Sequence, residues 1–164
     1  MMTTRLSIYP TSAKVEDVLR RSSREACQWD HKILTFPQLI DLIWHEAHPE
    51  RIALDPIGER LAFEEALRNG SWTRATSPGV VSHLQGVIRR FKSAALRPSE
   101  ITDAARALDG SQAERLHTVA GVFADYEAIL GRRGLADAHD RERTVLERLQ
   151  APELGGERPR MLRG

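Results

Sequence analysis

The chain has 164 residues, enough for one domain with a real core or one and a half small ones. Charge nearly balances, with 24 Lys and Arg against 23 Asp and Glu, so bulk charge argues neither for nor against a nucleic-acid partner. One cysteine, Cys27, excludes an internal disulfide; no apolar run approaches a membrane span, and the N-terminal MMTTRLSIYPTSAK lacks a signal-type apolar stretch. These features predict a soluble, cytoplasmic protein with no membrane partner.

Aromatic residues are sparse while Ala, Leu, Arg and Glu abound, which favours helix over sheet. In chain order, Arg5–Tyr9 alternates and stops at Pro10, as a short strand does. Thr11 or Ser12 then caps a helix through about Cys27, with Val15, Val18, Leu19 and Ser22 on one face. Lys32–Leu34 reads as a second strand, which makes a minimal βαβ unit. Thr35-Phe36-Pro37-Gln38 has capping-box spacing and opens a helix whose inner stripe is Leu39, Ile40, Ile43, Trp44 and Ala47.

Beyond Pro49 the pattern is helical throughout. Asp55-Pro56 starts a helix reaching about Arg68, with Ile57, Leu61 and Leu67 as its apolar positions. NGSWTRATSPG is a loop, in which the sequon Asn69-Gly70-Ser71 reads as a turn. Ser77-Pro78 starts the next helix, with Val81, Leu84, Val87, Ile88, Phe91 and Ala95 at helical spacing. Pro98-Ser99 restarts a short helix to about Leu108. Ser111 with Glu114 suggests a second capping box, opening a long helix that Gly131 and Gly134 end. Asp137 caps the last helix, which closes near Leu149. The tail APELGGERPRMLRG reads equally as a natural end or as a chain cut in a linker.

The expected fold is therefore mostly α with a small βαβ portion. Its organisation is a partial βαβ piece over 1–50, a helical segment over 51–150, and a linker or truncated tail over 151–164. Two parallel strands cannot cover themselves, so the βαβ piece reads as incomplete.

No catalytic constellation stands out. His45 and His48 are spaced i, i+3 and have no distant cluster to complete a tetrahedral zinc site, so they read as a solvated helix end. Asp137, His139 and Asp140 are explained by capping and the helix dipole, with no nucleophile nearby. Cys27 lacks a defined base and reads as a small buried residue. There is no GxxxxGK[ST] or GxGxxG loop, so no nucleotide cofactor is expected.

The most informative charge feature is an absence. Between Glu65 and Glu100 there is no acidic residue, while Arg68, Arg74, Arg89, Arg90, Lys92 and Arg97 fall in that interval with Trp72. Cations with an interleaved aromatic suit a phosphate backbone and an unstacked base; arginines solvating a helix face are the plainer reading.

RLSIYPTSAKVEDVLRR followed by HKILTFPQLIDLIW resembles the early part of superfamily I helicase-like folds, where a strand ending in Pro-Thr leads to a helix and then to a strand ending in Thr-Phe. The resemblance is to the B subunit of AddAB-type ATP-dependent helicase–deoxyribonucleases and related PD-(D/E)XK nuclease proteins. PGVVSHLQGVIRRFKSAALRPSEI and LHTVAGVFADYEAILGRRGLADAHDRERTVLERL are similar to segments of the helical 1B subdomain in that family.

The resemblance implies an incomplete P-loop helicase-like 1A piece plus a 1B-like bundle, ending before the Walker B position. Walker A is absent, and the nuclease carboxylates of such proteins lie downstream, so no catalytic residue carries over. What it implies is a non-catalytic N-terminal fragment of a DNA-repair or recombination protein of exonuclease or helicase-like type. Its partners would be DNA and the remaining domains of the parent protein or a helicase subunit. Arg89, Arg90, Lys92 and Arg97 are the expected phosphate contacts, Trp72 a stacking platform, and Phe91 a core residue. The alternative is a helical protein–protein interaction or regulatory module that binds no nucleic acid.

Overall fold

A computed structural model describes residues 5–22, 31–70, 72 and 77–151. The chain is mostly helical and divides between Pro49 and Glu50 into two compact units. Cys27, Arg74 and the tail beyond 151 lie outside the described residues, as do residues 23–27 of the first expected helix.

The first unit contains β1 (Arg5–Tyr9), α1 (Ser12–Ser22), β2 (His31–Thr35) and α2 (Phe36–Ala47). β1 and β2 pair in parallel from Arg5↔His31 to Tyr9↔Thr35, the strand–helix–strand order expected from the sequence. On α1, Val15 and Val18 are half-buried, but Leu19 is exposed rather than on the inner face.

Thr35 ends β2 and caps α2 in the same residue. Its extended backbone (φ −80°, ψ 165°) turns the chain, and its hydroxyl accepts from the Gln38 N–H while the Thr35 N–H donates to Gln38 Oε1 at 2.8 Å. Of the first four positions, whose N–H groups lack helical partners, Thr35 and Gln38 are thus satisfied and Pro37 has no N–H to satisfy. Leu39 and Trp44 are buried on α2 while Leu42 faces out, as the 3.6-residue period requires.

The second unit contains β3 (Ile52–Ala53), α3 (Pro56–Asn69), α4 (Pro78–Ser93), α5 (Pro98–Arg106), α6 (Gly110–Arg133), β4 (Leu135–Ala136) and α7 (Ala138–Gln150). The long α6 is the spine against which α3, α4 and α5 pack. Phe63, Ile88, Val122, Phe123 and Leu130 are almost wholly enclosed in its core. Full burial of each large apolar side chain contributes about 1.5–3 kcal/mol. Phe91 packs half-buried against this core, its ring 6.4 Å from that of Phe123.

Several expectations need correction here. The segment is not helical throughout, because β3 and β4 form a two-residue parallel ladder, Ile52↔Leu135 and Ala53↔Ala136. The inner face of α3 is Glu59, Ala62, Phe63, Ala66 and Leu67; Ile57 and Leu61 are exposed on the other side. Ala95 lies outside α4, and the buried stripe Val81, Leu84, Ile88 is continued instead by Lys92. No capping box forms at Ser111 and Glu114, because α6 already begins at Gly110 with Asp109 as its N-cap. Gly131 lies inside α6, and Gly134 alone terminates it in the left-handed conformation.

Candidate functional site

The last turn of α4 directs Lys92 inward, since it follows Ile88 by four residues on the buried face. A lysine there needs partners, because an unpaired buried ammonium is too costly to keep. Its partners come from the chain around β4. Gly134, at φ +62°, ends α6 and lets the chain pass into β4, whose residues pair with β3. That pairing places Asp137 as the N-cap of α7 and Asp140 one turn into it.

The result is a compact charge cluster. Lys92 Nζ lies 2.6 Å from Glu127 Oε1, 2.6 Å from Asp137 Oδ2 and 2.9 Å from Asp140 Oδ1. The three donors of an ammonium match the three acceptors. Nζ also sits 5.5 Å from the centre of the Tyr126 ring, whose hydroxyl donates to Asp137 Oδ2 at 3.2 Å. Asp137 Oδ1 accepts the Asp140 N–H at 2.9 Å, so one carboxylate serves cap, tyrosine and lysine together.

A second ring of contacts holds the first. Glu59 of α3, nearly buried, accepts the Ala138 N–H at 3.1 Å and the Arg89 guanidinium at 2.6 Å. Arg143 donates to Asp140 Oδ1 at 3.0 Å. The start of α7 is thereby fixed by carboxylates from α3 and from its own cap.

Burial on its own would lower the pKa of Lys92; attraction from Asp137, Asp140 and Glu127 outweighs it and holds the ammonium above the ordinary lysine value. Burial likewise pushes Asp137 up, and the Lys92 charge together with hydrogen bonds from Lys92, the Asp140 N–H and Tyr126 brings it below the usual carboxylate value. Tyr126 is raised, first by burial and then by the carboxylates of Asp137 and Glu59.

Among the described residues, Glu127, Asp137 and Asp140 are the grouping whose carboxylates converge closely enough to hold a metal ion. The point between them is where Lys92 Nζ lies, so the cation these carboxylates serve is the protein's own ammonium. Every acid in the cluster is engaged as an acceptor. The arrangement is chemically suited to fastening α7 to α4 and α6.

The expected DNA contacts are separated by the fold. Lys92 is removed from the surface set, its side chain being 2% exposed. Arg89 is partly exposed but tied to Glu59. Arg90 and Arg97 are exposed. Trp72 is half-buried and packs against the core of the second unit. His45 is exposed and His48 half-buried, with the ring of each against Trp44.

Sequence reasoning missed Lys92 as a buried residue because lysine is read as solvated. The available signal was its position in the 81, 84, 88, 92 stripe. No protein-family model matches the chain, and no curated protein matches it in sequence.

Proposed function

We propose that the chain is a non-catalytic, architectural part of a helicase/nuclease-like DNA-repair protein, whose second unit contacts a DNA strand through exposed arginines. The observation that carries this reading is the acid-free interval between Glu65 and Glu100, in which Arg90 and Arg97 remain exposed after Arg89 and Lys92 are engaged internally. Exposed guanidiniums favour phosphate oxygens; Arg90 has no acid near it in sequence, while Glu100 follows Arg97 by three residues and accepts its backbone N–H at 2.7 Å. The order of elements in RLSIYPTSAKVEDVLRR and the segments after it supports the same family-level reading. The non-catalytic part rests on the sequence, which offers no GxxxxGK[ST] or GxGxxG loop and no nucleophile–base set.

The test is fluorescence anisotropy with labelled single-stranded and forked DNA over a salt series, comparing wild type with Arg90→Glu/Arg97→Glu. Arg89 is left intact, because replacing it also breaks the pair with Glu59. Binding that weakens with salt and is largely abolished in the variant supports the reading. No binding at low salt overturns it.

A second reading, a helical protein-interaction module, is favoured by Ile57 and Leu61, exposed one turn apart on α3. It predicts partner binding that salt does not weaken.

A further inference from the structure

A cavity of about 220 Å³ opens between α3 and α4, lined by Arg60, Glu64, Leu67 and Arg68 of α3 and by Pro78 and Val81 of α4. The α3 residues recur at i, i+4, i+7 and i+8, so one face of that helix supplies two cations around an apolar floor. The space is small beside the roughly 300–1,000 Å³ of pockets that take drug-sized ligands, and of a scale that suits a phosphate group.

The two guanidiniums are only partly committed. Arg60 uses Nε on Glu64 Oε1 at 2.9 Å, and Arg68 uses Nε on the Glu64 carbonyl at 3.3 Å. Those bonds leave the terminal Nη groups of two cavity-lining side chains without a hydrogen bond among the described residues. An exposed pair such as Arg60–Glu64, with Arg60 half in solvent, adds little to stability. It does hold a fork-shaped donor in place, and such a fork matches two oxygens of a phosphate.

We infer that this cavity is a phosphodiester subsite for a DNA strand, with Arg60 and Arg68 as its donors and Leu67, Pro78 and Val81 as its floor. The inference rests on the DNA-contact reading and extends it to Arg68 within the acid-free interval and to Arg60 just before it. Glu64 also lines the cavity and contributes one negative charge, so the two arginines leave the lining net positive.

The experiment measures affinity for labelled oligo-dT across a salt series for three proteins: wild type, Arg60→Ala/Arg68→Ala, and the charge-matched control Arg115→Ala/Arg148→Ala, which removes two other exposed arginines. Circular dichroism and thermal melting establish that each is folded. The cavity variant is expected to bind about tenfold more weakly, with a salt slope smaller by about 0.7 for each phosphate it no longer neutralises, while the control stays near wild type. Arg60→Lys/Arg68→Lys is expected to restore the slope more fully than the affinity, because lysine keeps the charge without the fork. Equal weakening in the cavity variant and the control overturns the subsite. Wild-type affinity in the cavity variant, with binding abolished in Arg90→Glu/Arg97→Glu, overturns the subsite and leaves the DNA reading standing. Failure of the wild type to bind at low salt overturns both.

Discussion

Lys92 Nζ lies 2.6 Å from Asp137 Oδ2, and through that pairing the last turn of α4 grips the residue that caps α7. Both side chains are almost entirely enclosed. Removing one partner of such a pair leaves the other buried without its counter-charge. Lys92→Met is expected to destabilise the protein by about 3–5 kcal/mol in urea unfolding, because Asp137, Asp140 and Glu127 then repel one another. Asp137→Asn keeps an oxygen for the Asp140 N–H while removing one charge. The double variant should therefore lose less than the sum of the singles, by about 1–3 kcal/mol. Additive effects would show that the pairing does not couple the two helices.

Stability should fall at both ends of the pH scale, for reasons that lie in this cluster. Asp137 has a lowered pKa, so its contribution is complete above the unfolded value of about 3.9 and is lost as pH falls through the folded one. Lys92 and Tyr126 have raised pKa values, so theirs is complete below about 10 and is lost as pH rises through the folded values. In Lys92→Met the ammonium no longer opposes the burial that raises Asp137. The stability gap between wild type and Lys92→Met should then narrow as pH falls, beginning at the raised Asp137 value of the variant and ending at the lowered one of the wild type. Urea midpoints across the acid and alkaline ranges measure this directly; a constant gap at acid pH would contradict it.

How far the sequence could be read depended on the range of the interaction. The caps at Thr35, Asp55, Ser77 and Asp137 were legible because each is a local bond between a side chain and an N–H three residues on. The β1–α1–β2 order was legible from alternation and punctuation. The β3–β4 ladder was not, since two residues carry no period and the partners lie far apart in sequence. On α3, Leu67 was legible by hydropathy along with Ile57 and Leu61, but the latter two are exposed and Ala62, Phe63 and Ala66 are buried beside Leu67, which only the packing of α3 on α6 decides. Lys92 is the same lesson in charge: its burial depends on acids from α6 and α7, and no window around it contains them.

The end of α4 carries a removable strain. Ala95 has φ +56°, and its N–H reaches the Lys92 carbonyl at 2.9 Å while the Leu96 N–H reaches that of Phe91 at 2.9 Å. This is the Schellman pattern, in which glycine is the favoured residue. The left-handed conformation costs alanine roughly 1–2 kcal/mol, and glycine gives back about 0.4–1 kcal/mol through the freer unfolded chain. Ala95→Gly should therefore stabilise by about 0.5–1 kcal/mol, read as a higher urea midpoint with an unchanged slope. A drop in stability would mean that the alanine methyl contributes packing that outweighs its strain.

The two glycines near the end of α6 make opposite predictions for the same substitution. Gly131 sits inside the helix, and a Cβ built there meets nothing within 4 Å. Alanine at that position gains helix propensity without a clash, so Gly131→Ala should stabilise by about 0.8–1 kcal/mol. Gly134 has φ +62° and directs the chain into β4. Its added Cβ also has room, the nearest atom being the Glu50 carbonyl oxygen at 3.9 Å, so any penalty for Gly134→Ala comes from the backbone conformation alone. That penalty should be about 1–2 kcal/mol. Because Asp137 follows three residues later, a shifted helix end would also displace the cap from Lys92, and Gly134→Ala should weaken the coupling measured between those two residues. If both substitutions change stability in the same direction, the helix does not end where Gly134 turns it.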